Sequence, residues 1–149
     1  LSDGDTVVGV MQYGPSTAFP RARVLPAGPP NRDAALITCA YVSGEDPTGS
    51  VERLVLEALA DIKARGMNAI EVFAMRYPDE VPAAERAALN HTLFDLDMLE
   101  RLGFRAVRTR GQVSLMRLEL GSLAPGIAER ARAVIGDLRP VPGGAPLPA

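Results

Sequence analysis

Few side chains in this sequence are equipped for chemistry, and their neighbours decide what chemistry is open to them. Glu71 interrupts the apolar run Ile70-Glu71-Val72-Phe73, which reads as an interior strand. A carboxylate there is stripped of water, so it needs either a partner or a task. The task would be that of a general base. The partner would be an arginine, for instance one carried by a loop. His91 is the one histidine and a second candidate base near neutral pH. Its polar neighbours Asn90 and Thr92 fit a surface or helix-end position as well. Cys39, the one cysteine, lies mid-strand in an apolar run, and nothing in the spacing brings it to His91. Packed core is the expectation for it.

The segment Ser43-Gly44-Glu45-Asp46-Pro47-Thr48-Gly49-Ser50 follows a strand and opens a helix, where backbone amides can bind anions. Gly44 and Gly49 have the spacing of half a P-loop, but Ser50 stands where the phosphate-gripping lysine belongs. Glu45 and Asp46 would repel a nucleotide phosphate. A plain connector, with Asp46 or Ser50 as N-cap and Pro47 in the first turn, explains the same residues. There is no G-x-G-x-x-G, so no dinucleotide fingerprint is present. One cysteine and one histidine are too few for a disulfide framework or for a Cys- or His-rich metal centre.

The elements that must position these groups are legible from patterning. Ala34–Val42 is apolar on both alternating faces, as in a strand covered on both sides. Val51, Leu54, Val55, Ala58, Leu59 and Ile62 recur at steps of three and four, one stripe of an amphipathic helix. Arg53–Glu57 and Asp61–Arg65 are i,i+4 pairs on its outer face, and Gly66 is its stop signal. Ala69–Met75 returns as a strand, which makes a βαβ unit with parallel strands. Before it, Thr6–Tyr13 reads as a strand after the turn Asp3-Gly4-Asp5, and five prolines over 14–30 predict a long loop without regular structure. After it come a loop over Pro78–Pro82, helical composition over Ala83–Asn90, and a short helix Leu96–Leu102 capped by Asp95 and stopped by Gly103. Strands at Arg105–Arg110 and Val113–Leu120 turn at Gly111-Gln112, and Ile127, Ala131, Val134, Ile135 and Leu138 mark a last helix. Pro140–Ala149 is Pro/Gly-rich and reads as a disordered tail.

The length of 149 residues suits one domain, here residues 1–139, and 47% hydrophobic with 23% charged residues is ordinary for a globular chain. A net charge of −2 and no basic stripe argue against nucleic acid as partner. The longest apolar run, Ala34–Val42, is too short for a membrane span. The opening residues carry no basic-then-apolar leader, and Lys63 is the lone lysine beside many arginines, alanines and prolines. GC-rich coding and a bacterial, cytoplasmic setting are the expectation. A turn with only Leu1 and Ser2 before it, and a first residue other than Met, suggest that a strand and helices precede this segment.

The order strand, loop, amphipathic helix, strand, short helix ending Leu-Gly-Phe, then hairpin resembles the GNAT superfamily of N-acetyltransferases. The resemblance is carried by Ile37-Thr38-Cys39-Ala40-Tyr41-Val42, by the helix ending Glu57 to Gly66, by Met98-Leu99-Glu100-Arg101-Leu102-Gly103-Phe104, and by Phe19-Pro20-Arg21-Ala22. It spans about Thr6 to Leu120. It implies an α+β fold: a mixed, mostly antiparallel sheet with one parallel βαβ unit and a central pair of strands that splay apart. It further implies that the backbone of Ala40, Tyr41 and Val42 holds the pantetheine arm of acetyl-CoA. The amides of Gly49, Ser50 and Val51 would meet its phosphates, with Arg53 helping to neutralise them. The family's cofactor-loop positions fall on Pro47, Ser50 and Glu52, and its frequent tyrosine acid falls on Leu99; none keeps the family residue.

On this reading the chain is an acyl-CoA-dependent N-acyltransferase. Glu71 is its base and His91 the alternative, acetyl-CoA the co-substrate and a small-molecule or peptide amine the acceptor. No metal, nucleic acid or membrane takes part, and a homodimer is allowed. The lost glycines and tyrosine motivate a rival reading, a non-catalytic GNAT-like module that senses a ligand or binds a partner. A third is an unrelated α/β binding domain whose βαβ unit only looks similar.

Overall fold

The structure is a computed structural model that describes residues 1–3, 6–89, 91–123 and 125–136. Strands β1 (Ser2–Asp3) and β2 (Thr6–Val7) form a small antiparallel ladder. The expected first strand is thus split, its main part being β3 (Gly9–Pro15). The main sheet continues with β4 (Ala35–Val42), and helix α1 (Pro47–Ala64) leads to β5 (Ala69–Met75). Then follow α2 (Ala83–Leu89), β6 (Phe94–Asp95), α3 (Leu96–Arg101), the hairpin β7 (Arg105–Arg110) and β8 (Val113–Glu119), and α4 (Pro125–Gly136). The strand order is β3-β4-β5-β8-β7, with the short β6 added beside β5. Pairings β3–β4, β5–β8 and β8–β7 are antiparallel, and β4–β5 and β5–β6 are parallel. This is a mixed α+β sheet, as the resemblance implies, and its β4-α1-β5 crossover is the parallel βαβ unit that the patterning predicts.

Helix α1 forms because its ends and its stripe agree. The Asp46 carboxylate caps the Gly49 amide at 2.9 Å, Pro47 occupies the first turn, and Gly66 takes the left-handed φ of +79° that ends the helix. All six stripe residues, Val51 through Ile62, are buried, joined by Leu56. They pack on Ile37, Ile70, Val72 and Met116 from one face of the sheet. Both i,i+4 pairs are made, Arg53–Glu57 at 3.3 Å and Arg65–Asp61 at 2.6 Å. Asp61 also accepts from the Tyr13 hydroxyl at 2.8 Å, which fastens the outer strand β3 to the helix.

Between β4 and β5 the pairing is brief. Ala35, Leu36 and Ile37 face Ile70, Glu71 and Val72, and beyond them the two strands no longer pair. The cause lies on the other side of β4, where Gln12 pairs with Cys39 and Tyr13 with Ile37, so Thr38 is an extra residue. A bulge bends its strand and increases local twist, which carries the far half of β4 away from β5.

The Pro-rich stretch 14–30 is more ordered than its composition predicts. It contains 3-10 turns at Ser16–Ala18 and Pro20–Val24, and Ala22, Ala27 and Pro30 are buried. Gly14 and Pro15 close the edge strand β3, where proline is tolerated; further on, proline bars the α-helical ladder but allows a 3-10 turn, and alanine lets the chain lie close to the sheet. Short-helix boundaries move by a residue: α3 stops at Arg101 rather than Leu102. Of the final stripe, Ala131 is buried and Ile127 half-buried; Leu138, Asn90 and the tail 140–149 lie outside the described residues.

Leu59 is 1% exposed at the centre of the α1 stripe. Leu59→Ala should cost about 2–5 kcal/mol in a urea melt, because the site cannot collapse around the missing atoms. A loss below about 0.5 kcal/mol would show that this face is not core.

Candidate functional site

The candidate residues fall in two places, the gap between β4 and β5 and the face of the sheet away from α1. The first is the gap where β4 leaves β5. It is filled by the chain itself. The Ala40 amide donates to the His91 carbonyl at 2.9 Å, and His91 Nδ1 lies 3.2 Å from the Ala40 carbonyl. A carbonyl can only accept, so Nδ1 carries the proton and donates. Tyr41, half exposed, stacks its ring on the imidazole with centroids 4.2 Å apart. Three and four residues further on, Phe94 and Asp95 pair in parallel with Ala74 and Met75 of β5. The segment 91–95 therefore bonds to β4 at one end and to β5 at the other.

Residues not singled out from sequence hold that segment down. Arg86 of α2, only 12% exposed, pairs with Asp95 at 3.2 Å and donates to the carbonyls of Val81 and Pro78 at 2.8 and 3.1 Å. The Tyr77 hydroxyl donates to the Leu93 carbonyl at 3.0 Å. Burial, with Asp95 nearby, pushes the Tyr77 phenol up to about 12. Beside the segment, a space bounded by Ala40, Thr48, Val51, Arg86, His91 and Asp95 measures about 20 Å³, enough for a water molecule.

The helix N-terminus beside the gap is equally self-contained. The Gly49 amide is taken by the Asp46 carboxylate, and the Ser50 amide by the Asp46 carbonyl at 3.1 Å. Val51 faces the core, Arg53 pairs with Glu57, and Glu52 pairs with Arg130 of α4. Val42 is half-buried against the core and Leu99 is wholly inside it. Of the backbone groups that the resemblance assigns to acetyl-CoA, the amide and carbonyl of Ala40 and the amides of Gly49 and Ser50 have partners within the chain. Cys39 is half-buried rather than packed core, its Sγ 3.9 Å from Gln12 Oε1, because the bulge at Thr38 turns it toward the outer strand.

The second place is the face of the sheet away from α1. Glu71, with no exposure, accepts from the Asn31 amide at 2.8 Å, from Asn31 Nδ2, and from Arg117 Nη1 at 3.1 Å. Its arginine comes from β8, directly opposite in the ladder, rather than from a loop. Arg117 also binds Asp33 through both terminal nitrogens, at 3.0 and 3.2 Å, and Glu119 at 2.5 Å. The hydrogen bond from Arg117 holds the Asp33 carboxyl below the usual carboxylate range, and Asp33, Glu119 and Glu71 together hold the guanidinium more firmly charged. His91 and Glu71 belong to different places, one in the gap and one under the Pro-rich loop.

That loop roofs a cavity of about 660 Å³, well within the range of small-molecule sites. Phe19, Leu25, Leu36, Phe73, Leu93 and Val113 line it. The roof is pinned by the Asn31–Glu71 bonds, by Ser16 Oγ donating to the Asn31 carbonyl at 2.6 Å, and by Arg108 donating to the carbonyls of Ala27 and Pro29 at 2.9 and 3.1 Å. Ala27 is held at φ 64°, a conformation a residue with a Cβ adopts only when its surroundings impose it. The sequence did carry a signal for this site. Phe19, Ala22, Leu25 and Ala27 are apolar residues spaced among prolines, which a purely solvated loop does not need.

No protein-family model matches the chain, and no curated protein matches it. Among the described residues, no helix is long and apolar enough to cross a membrane, and no group of three or more histidine, cysteine and acidic side chains is placed to hold a metal ion.

Replacing Arg117 by Met would leave Glu71 charged, buried and without its cation. The expected loss is about 3–5 kcal/mol in urea, with faster proteolysis of 16–34; a loss under about 1 kcal/mol would mean that Asn31 alone suffices. Tyr77 gives a pH test. An unfolded phenol ionises near 10, and the folded one near 12. The neutral phenol is thus favoured by the fold, so this stability is complete below about pH 10 and is lost as pH rises toward 12. Ultraviolet titration should find Tyr77 protonated at about pH 11 in the folded protein and ionised after urea denaturation.

Proposed function

We propose that this chain is a non-catalytic ligand-binding module on an acetyltransferase-like scaffold, its ligand a small apolar molecule held between the Pro-rich loop and the sheet. The observation that carries the reading is the closed gap. Ala40 spends its amide on His91 and its carbonyl on the imidazole, and about 20 Å³ remains beside it. Transfer of an acyl group depends on holding donor and acceptor in one orientation, and a donor arm would have to displace His91 to reach the polar groups of Ala40. Glu71 fits a structural role for the same kind of reason. Its carboxylate oxygens are engaged by Asn31 and Arg117, so neither is poised for a proton on a substrate.

The roofed cavity supplies the positive side of the reading. It is apolar, sized for a small molecule, and walled by a loop held at both ends by named hydrogen bonds. The acyltransferase reading makes the opposite demand, an open gap and free amides.

Calorimetric titration with coenzyme A and with acetyl-CoA separates the two. The expected outcome is no heat of binding, no rise in melting temperature and no acetyl transfer to a panel of amines. Micromolar binding of acetyl-CoA together with turnover lost in Glu71→Gln would establish the acyltransferase instead.

A further inference from the structure

The arginines of the hairpin and of the Pro-rich loop converge on the same side of the sheet as the apolar cavity. In β7, Arg105 pairs with Arg117 and Arg108 with Leu115, so Val107 is an extra residue between them. Without that bulge, Arg105 and Arg108, three apart, would point to opposite faces. With it, Arg105, Arg108 and Arg110 all share the face of Leu115 and Arg117. Arg108 then reaches a second cavity, of about 350 Å³, that it lines with Arg23 and Arg32. No carboxylate lines this space among the described residues. The neighbouring Asp33 is paired with Arg117. Arg23 and Arg32 make no ion pair or side-chain hydrogen bond with any described residue, so their donors are available. Pro20 borders both cavities, which places the arginine-lined space beside the apolar one.

We infer that the ligand of this module is an amphipathic anion, an aliphatic chain ending in a carboxylate. Its chain lies in the 660 Å³ cavity against Leu36, Phe73 and Leu93, and its head meets Arg23, Arg32 and Arg108 past Pro20. This rests on the ligand-binding reading and narrows its chemistry. Three guanidinium groups without a counter-charge repel one another, and a carboxylate head relieves that repulsion while accepting charge-assisted hydrogen bonds. An acid of the chain's own would do the same, and among the described residues the lining has none.

Titration of the folded chain with decanoate, decanol and acetate tests this. Decanoate should bind about tenfold or more tighter than decanol, the factor expected for one charge-assisted hydrogen bond, and acetate should not bind measurably. The double variant Arg23→Ala/Arg32→Ala, which keeps Arg108, should weaken decanoate binding severalfold toward the level of decanol and leave decanol unaffected, with its circular dichroism unchanged. Decanol binding as tightly as decanoate, or decanoate binding undiminished in the double variant, overturns the anionic head and leaves the apolar site standing. Failure of both decanoate and decanol to bind overturns the ligand-binding reading together with it.

Discussion

Glu71 carries a carboxylate into the middle of the sheet, where its side chain meets no solvent, and the fold on that side is arranged around meeting its charge. Moving such an ion out of water costs several kcal/mol even after relaxation, so partners must be at hand as the chain folds. β8 supplies Arg117 from the facing position of the ladder, and the Pro-rich loop supplies the amide and side chain of Asn31. Among the described residues, no buried side-chain nitrogen or oxygen lacks a hydrogen-bond partner. The consequence reaches beyond stability. Because Glu71 binds Asn31, a loop whose prolines bar it from the sheet is nevertheless fixed above it, and the apolar cavity has a roof.

The two bulges act in a complementary way. Thr38 bends β4 from β5, and the segment 91–95 enters the gap, bonding to Ala40 of β4 and pairing with Ala74 and Met75 of β5. Val107 turns Arg108 to the same face as Arg105, under the loop. A one-residue insertion reverses the faces of everything beyond it, so each bulge redirects several side chains at once. One insertion is linked to a closed gap, the other to a cationic space beside an open cavity.

The sequence was informative where structure is local. The α1 stripe, its Asp46 and Gly66 ends and the hairpin turn depend on residues within a few positions of one another, so spacing reveals them. That Glu71 needed a partner was also legible, from one charge in an apolar run. Which partner was not, because Arg117 lies 46 residues away. Arg117 interrupts Leu115-Met116-Arg117-Leu118 as Glu71 interrupts its own strand, and two opposite charges in interior strands were the available signal. The bulges left no signal, since they depend on the register between strands. Nor could the loop be read as a roof, since 3-10 turns lack the periodicity that marks helices. Arg86, Tyr77 and the pairing of 91–95 depend on tertiary contacts alone.

The central claim is that ligand enters the roofed face of the sheet while the gap beside Ala40 stays closed. Methyl-resolved nuclear magnetic resonance of the folded chain, titrated in turn with an aliphatic ligand and with acetyl-CoA, reads both sides at once. The account predicts that the aliphatic ligand shifts the methyls of Leu25, Leu36, Leu93 and Val113, and that acetyl-CoA shifts none. Shifts induced by acetyl-CoA at Ala40, Val51 and Ala87, with the roofed cavity silent to the aliphatic ligand, would contradict it.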